Sequence, residues 1–226
     1  MDKFAVIVAG GSGLRMGHET PKQFLPVGEV PVLIHTIRAF TAAFSDLSVV
    51  LVLPAEHMQK GQEMVSSFIP DAPVQFAPGG KTRFDSVRSG LRLVPADSIV
   101  FVHDAVRCLV SPSLIQKCYE QALAQGSAVP VVPLKDSIRK ITAEGSEVQN
   151  RELLRAVQTP QTFRAETLLK AFQTDYQESF TDEATVVEYS GGSISLIDGE
   201  EANIKITYPS DLLLAEQFFN NPTSIS

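Results

Sequence analysis

The residues best suited to chemistry lie near the start of the chain, in FAVIVAGGSGLRMGHETPKQFL, from Phe4 to Leu25. An apolar run ends in Ala9, Gly10, Gly11, Ser12 and Gly13, and Arg15 and Lys22 follow, with Pro21 stiffening the approach to Lys22. Glycines let the backbone bend sharply and approach a ligand without Cβ interference. A loop whose N–H groups point one way makes a concave anion site. A glycine cradle backed by two cations suits a triphosphate undergoing substitution. Gly11-Ser12-Gly13 also opens a G-x-G pattern, but a dinucleotide fingerprint wants a small residue where Met16 stands and an acidic ribose ligand after a second strand. Here that second strand candidate runs into Pro54 and Ala55, with Glu56 only beyond them. The bland alternative is a tight turn that binds nothing.

Two more stretches carry candidate groups. Gly79-Gly80-Lys81-Thr82-Arg83-Phe84-Asp85-Ser86 offers close backbone approach, with Arg83 and Ser86 on the first turns of a helix capped by Thr82 and Asp85. Taken alone, Arg83 there reads as a solvent-facing arginine. His103-Asp104-Ala105-Val106-Arg107 follows a buried strand. An aspartate just past a strand's carboxyl end lies on the ligand rim, where it can hold Mg²⁺ together with substrate phosphates or accept bonds from sugar hydroxyls. Its plain role would be to cap a turn. His103 reads as a packed histidine, because no second metal-type residue stands at ligand spacing.

Composition limits the classes open to the chain. Its 226 residues are 44% hydrophobic, enough for a core without staples. A net charge of −7 argues against nucleic acid or an anionic membrane as partner, so any phosphate site must be a local cationic pocket. Cys108 and Cys118 lack disulfide or metal spacing, which suits a reducing compartment. The first apolar run is too short for a signal peptide and no stretch reaches the length of a membrane span. A soluble, cytoplasmic protein is expected.

The elements that must position these groups alternate. Phe4–Ala9, Ser48–Leu53, Ser98–Val102 and Ser127–Val132 read as buried strands. Helical stripes lie between them: Leu33, Ile37, Phe40 and Phe44 after Pro31; Met64, Val65, Phe68 and Ile69 within 56–69; Phe84, Val87, Leu91 and Val94; and Leu114, Ile115, Cys118, Ala122 and Leu123, opened by Ser111-Pro112 and stopped at Gly126. This rhythm predicts an α/β fold, a Rossmann-like, mostly parallel sheet flanked by helices in a single domain spanning 1–226. Lys135–Gln149 alternates polar and apolar residues around Glu144-Gly145-Ser146 and reads as a β-hairpin, giving a projecting arm over 133–151 suited to dimerisation. Gln158–Phe163 reads as a shaped binding loop. A helix over Arg164–Phe172, a helix capped by Thr181, a strand at Ile194–Ile197, an alternating strand at Asn203–Thr207 and a helix over Pro209–Phe219 complete the chain.

The motifs Ala9-Gly10-Gly11-Ser12-Gly13-Leu14-Arg15-Met16 with Pro21-Lys22-Gln23, Gly79-Gly80 with Arg83 and Ser86, His103-Asp104-Ala105, Thr159-Pro160-Gln161 and Asn203-Ile204-Lys205 recur in an order and spacing that closely resemble the 2-C-methyl-D-erythritol 4-phosphate cytidylyltransferase family. The resemblance covers the chain from about Phe4 to Leu214. It implies a nucleotidyltransferase of isoprenoid precursor synthesis acting on CTP and a polyol phosphate, with Mg²⁺ or another divalent cation, as a homodimer with shared active sites. By resemblance, Arg15, Lys22 and Lys205 surround the CTP phosphates, and Ala9, Gly10, Gly11 and Gly13 form the cradle. Gly80, Arg83 and Ser86 fall near cytosine, and Asp104, with Ala105 and Arg107 beside it, near ribose, metal and sugar phosphate. Ser137 and Arg151 would reach the acceptor of the other subunit, and Thr159 and Thr181 would make further substrate contacts. Cys108 stands where the family has proline, and Ser137 where it has threonine. The related ribitol-5-phosphate cytidylyltransferases share many of these motifs and are the alternative. A sugar-nucleotide pyrophosphorylase would place Thr-Arg-Leu where Leu14-Arg15-Met16 stands, and an NAD-binding oxidoreductase lacks its third glycine and ribose carboxylate.

Overall fold

In the computed structural model, which describes residues 1–10 and 20–220, the apolar runs form the middle of one sheet. Strand β1 (Asp2–Val8) opens the chain, and a short hairpin, β2 (Pro26–Val27) and β3 (Val30–Pro31), leads into helix α1 (Val32–Ala43). Then follow β4 (Leu47–Leu53), α2 (Met58–Phe68), β5 (Val74–Pro78), α3 (Arg83–Leu91), β6 (Ser98–Asp104), α4 (Pro112–Gln125) and β7 (Ser127–Pro133). A separate two-stranded hairpin, β8 (Ile138–Thr142) and β9 (Gly145–Gln149), interrupts the alternation. Strands β10 (Arg155–Val157) and β11 (Gln161–Arg164), helices α5 (Ala165–Ala171) and α6 (Glu183–Tyr189), β12 (Leu196–Asp198) and α7 (Pro209–Asn220) close it.

The sheet runs β10-β7-β11-β6-β1-β4-β5, with β12 added on β7. β1 pairs in parallel with both β4 and β6, and β11 and β10 are the antiparallel members. From β1 the chain moves through β4 to β5, then crosses back to β6 on the other side of β1. That reversal makes the carboxyl ends of β1 and β6 the switch point where such sheets bind ligands.

Side chains alternate across the sheet with the period of two that strand geometry dictates. Ala5, Ile7, Val49, Leu51, Ile99 and Phe101 face α1 and α4, where Leu33, Ile37, Phe40, Leu114 and Ile115 complete one core. Val6, Val50, Val52, Val100 and Val102 face α3, α5 and α6, where Phe84, Val87, Leu168 and Val187 complete the other. Burial on both faces is why these strands read as unbroken apolar runs. Helix ends follow the sequence signals: Thr82 and Asp85 form a reciprocal capping box, and Ser111 accepts from Leu114 N–H ahead of Pro112. Gly126 stops α4 in the left-handed region at φ 88°.

Three expectations are corrected. The cap of α6 is Asp182, whose side chain accepts from Thr185 N–H, so Thr181 stands one residue before the cap. Asn203–Thr207 is not a strand: Asn203 and Ile206 are both buried, which breaks the alternation, and Ile206 N–H bonds Val106 O instead of a partner strand. Gln161–Arg164 is no loop but a strand between β6 and β7, reached through a cis Thr159–Pro160 bond. Element ends elsewhere differ by a residue or two, as the strand of Leu196–Asp198 does from Ile194–Ile197.

Candidate active site

At the switch point opens a cavity of about 250 Å³ lined by Val8, Ala9, Gly10, Lys22, Gln23, Gly80, Lys81, Thr82, Arg83, Ser86, Asp104, Val106 and Lys205. Each wall has a structural cause. β1 ends at Val8, and Ala9 is tied in place because its N–H donates to Val52 O and its carbonyl accepts from the Gln23 side chain. Lys22, on a single helical turn after Pro21, is buried at 8% exposure and its Nζ donates to Ile206 O at 2.8 Å. The turn before α3 closes when Gly80 N–H donates to Ser86 Oγ, which in turn donates to Thr82 O. A Cβ on Gly80 would stand 2.3 Å from Asp85 Cβ, so only glycine fits this turn.

Asp104 is the centre of charge. Its Oδ1 accepts from Arg83 Nε at 3.3 Å, while its Oδ2 meets Lys205 Nζ at 2.8 Å and Arg107 Nε at 3.6 Å. Burial opposes its ionisation, but Arg83, Lys205 and Arg107 outweigh that cost and hold its carboxyl well below the usual carboxylate range. Arg83 is not the solvent-facing residue that its helix position suggests. Its terminal nitrogens bind both oxygens of Glu183, itself 1% exposed. Although burial works against its charge, Glu183 and Asp104 raise the Arg83 pKa above the usual arginine value. The pKa of Glu183 is raised by burial, with Arg83 offsetting part of the rise.

Behind Asp104, the hydroxyl of Thr159 accepts from Asp104 N–H at 3.1 Å and meets His103 Nδ1 at 3.0 Å. His103 Nε2 faces Arg107 O, which can only accept, so the proton sits on Nε2 and Nδ1 accepts from Thr159. Burial lowers the His103 pKa to about 3, which keeps the ring neutral. His103 is thus the packed histidine expected.

The structure therefore brings Ala9, Gly10, Lys22, Gly80, Arg83, Ser86, Asp104 and Lys205 around one space. Arg107 pairs with Asp104 from the side and donates to Asn203 O, and Ala105 lies buried beneath with its N–H on Val8 O. Thr159 is absent from the lining, its hydroxyl being spent on Asp104 and His103. Thr181 edges a small recess beside Arg83, Phe84 and Glu183. Ser137 and Arg151 are exposed at the base of the β8–β9 hairpin and are not among the lining residues. Gly11, Gly13 and Arg15 lie outside the described residues. Sequence reasoning gave no role to Lys81 and Gln23, which stand inside the motifs, and above all none to Glu183. Its one local signal is that it is the acid in the first turn of α6.

An open, mostly parallel sheet with a charged cavity at its switch point is the architecture of the α/β nucleotide-binding proteins, and similarity to known proteins narrows it to a nucleotidyltransferase. The sequence matches the family described as IspD: 2-C-methyl-D-erythritol 4-phosphate cytidylyltransferase over residues 4–221. It is 43% identical to the 2-C-methyl-D-erythritol 4-phosphate cytidylyltransferase of Phocaeicola vulgatus, over 96% of this chain and 99% of that protein. The enzyme of the same name from Bacteroides thetaiotaomicron is 44% identical over 94% of this chain and 97% of its own. The crystal structure of the Thermus thermophilus enzyme of that name matches with a TM-score of 0.78 at 32% identity, covering 97% of this chain and all (100%) of that one. The chain belongs to the 2-C-methyl-D-erythritol 4-phosphate cytidylyltransferase family.

Proposed function

We propose that this chain joins CTP and 2-C-methyl-D-erythritol 4-phosphate to give 4-diphosphocytidyl-2-C-methyl-D-erythritol and pyrophosphate. The observation that carries the reading is the grouping of Lys22, Arg83, Lys205 and Asp104 around one cavity at the sheet's switch point. A phosphate oxygen of the acceptor attacks the α-phosphorus of CTP in line, and the bond to the β-phosphate oxygen breaks as pyrophosphate leaves. No covalent nucleophile is required. Two anions must meet, so the protein's task is to hold them and offset their repulsion. Lys22, with Arg15 expected beside it from the sequence, faces the charge growing at the α-phosphate, and Lys205 bridges donor and acceptor. The Gly80–Ser86 turn forms the nucleotide wall.

Asp104 is the sole carboxylate among the described lining residues, and no group of three His, Cys, Asp or Glu side chains suited to a metal stands among the described residues. One carboxylate plus substrate phosphate oxygens is the donor set that Mg²⁺ takes, so the residues fit a cation that arrives with the nucleotide. Bound there, Mg²⁺ supplies neutralisation of the triphosphate and fixes it for attack. Ser137 and Arg151 are not among the lining residues of their own chain's cavity but flank an exposed hairpin whose Ile141 and Val148 are 78% and 73% exposed. The reading is that this arm docks on a second copy and brings Ser137 and Arg151 to the partner's acceptor. No helix among the described residues is long and apolar enough to cross a membrane. The two cysteines, free and buried, suit the reducing cytoplasm.

The test is to incubate the protein with Mg²⁺, each of the four NTPs in turn and either 2-C-methyl-D-erythritol 4-phosphate or ribitol 5-phosphate, and to measure pyrophosphate. Release with CTP and the methylerythritol acceptor is expected. Preference for ribitol 5-phosphate, or no release with any pair, overturns the reading.

A further inference from the structure

We propose that Glu183 is a positioning residue: it sets the direction of Arg83 and so reserves Asp104 for the ligand side of the cavity. The guanidinium of Arg83 has two carboxylates within reach. Its two terminal nitrogens go to Glu183, Nη1 to Oε1 and Nη2 to Oε2, and only Nε turns to Asp104, singly and at 3.3 Å. The forked arrangement is the stronger of the two. Arg83 therefore spends its fork away from Asp104, whose Oδ2 faces Lys205.

Glu183 is itself held from behind. It is the first residue of α6, whose start is fixed by reciprocal bonds between Asp182 and Thr185. Gln161, the first residue of β11, donates to Asp182 Oδ2 at 2.9 Å and accepts from Ala184 N–H at 2.8 Å. Phe84, Phe172 and Phe180 wall the pair, with Phe84 stacked on Phe172 at 4.7 Å between ring centres. A dry wall strengthens a satisfied ion pair and makes an unsatisfied charge costly. Buried ion pairs add little net stability over packed apolar residues. The pair joins chain positions a hundred residues apart and leads directly to the one carboxylate on the cavity, which points to orientation as its purpose. Without the Glu183 charge, the fork of Arg83 is free to turn onto both oxygens of Asp104 and to displace Lys205.

The inference rests on the nucleotide reading given above. Calorimetric titration of CTP, with and without Mg²⁺, is compared between the unaltered chain, E183Q, R83M and R83M/E183Q. E183Q is expected to lose about tenfold in CTP affinity with Mg²⁺ present, while affinity without Mg²⁺ stays within about threefold. On the R83M background the same change is expected to do nothing further, because Glu183 acts through Arg83. Three results overturn the proposal: E183Q matching the unaltered chain, equal losses with and without Mg²⁺, or a loss that persists on the R83M background. Should E183Q alone fail to fold, the double variant, free of both charges of the pair, is compared with R83M, and a difference in Mg²⁺-dependent affinity between them is decisive against it. An unaltered chain that binds no CTP with Mg²⁺ refutes the nucleotide reading instead.

Discussion

The rim of β1 and β6 and the β8–β9 hairpin use charge in opposite ways. At the rim, Asp104 is 7% exposed, and the charges near it answer one another, mostly from distant parts of the chain: Arg83 to Glu183 and Asp104, Lys205 to Asp104, and Arg107 to Asp104 from three residues on. Among the described residues the arm shows one long-range ion pair, Lys135 with Glu201, and both side chains are exposed. Arg151 donates to Lys135 O, Arg139 to Ser146, and the residues between are mostly exposed. Ile141 opposes Ser146 and Val148 opposes Arg139, which puts Ile141 and Val148 diagonally on one face. The rim is thus organised by its own fold before any ligand arrives. The hairpin carries two apolar side chains, Ile141 and Val148, that the described residues leave exposed.

If that contrast is right, rim substitutions act on chemistry and arm substitutions on assembly and acceptor. Lys22→Met should have the largest effect. A positioned donor facing developing charge is worth about 10²–10³ in turnover, so kcat is expected to fall at least about a hundredfold with CTP affinity changed far less. Unchanged kcat would remove Lys22 from the chemistry. Next, I141D/V148D is expected to convert a dimer to a monomer by light scattering and to cut acceptor-dependent turnover about tenfold, while CTP binding holds. A dimer that survives both charges refutes the arm as interface. Arg151→Ala should raise KM for the sugar phosphate about tenfold by losing one charged contact, with no change toward CTP. A defect confined to CTP would place Arg151 on the wrong substrate.

The same division explains what could be read from the chain. β1, α1, β4 and β6 were legible because a buried parallel sheet writes itself as apolar runs, and the starts at Thr82 and Ser111 because a cap is a local signal. Lys22, Gly80, Arg83, Asp104 and Lys205 were legible together through family motifs rather than through any one spacing. Glu183 was not, since an acid in the first turn of a helix already has a local reason to be there and its partner stands a hundred residues earlier. β11 hid because Gln161 and Thr162, though 1% and 0% exposed, look like loop residues beside Pro160. Asn203–Thr207 misled in the other direction: alternation predicts a strand only where an edge is free to receive it. Hairpin β8–β9 was plain from its turn and alternation, because nothing distant shapes it.

Glycines sharpen the contrast at smaller magnitude. A Cβ on Gly80 would meet Asp85 Cβ at 2.3 Å and its backbone at 3.0 Å, so Gly80→Ala must shift the capping box that starts α3. About 1–3 kcal/mol of stability should be lost, together with CTP affinity. Gly145 has φ 139° with nothing near its Cβ position. Gly145→Ala should cost about 1 kcal/mol of hairpin order, seen as faster amide exchange in β8 and β9 with CTP affinity intact. Equal losses of CTP affinity in both variants would mean that the two regions are one cooperative unit.

The smallest effect expected is a pH dependence that belongs to the rim alone, at most about 1.4 kcal/mol per pH unit for one group. Burial works against Asp104 as a carboxylate, but Arg83, Lys205 and Arg107 prevail and depress its folded pKa. The unfolded chain therefore takes up the proton first as pH falls. Stability linked to Asp104 is complete above its unfolded value, about 3.9, and drains away as pH drops toward the folded one. Glu183 shifts the opposite way, its pKa raised first by burial and in smaller part by Asp104, so only the larger, burial-driven share is common to the unaltered chain and to Asp104→Asn and cancels in their difference. Asp104→Asn leaves the three cations without their counter-ion and should be the less stable protein at neutral pH. Because only the unaltered chain has this carboxylate to lose, the gap in Tm between the two should narrow steadily below about pH 4. A gap that stays constant down to the acid limit of folding would show that the Asp104 carboxylate is not held by its cations, and the rim would then be no better organised than the arm.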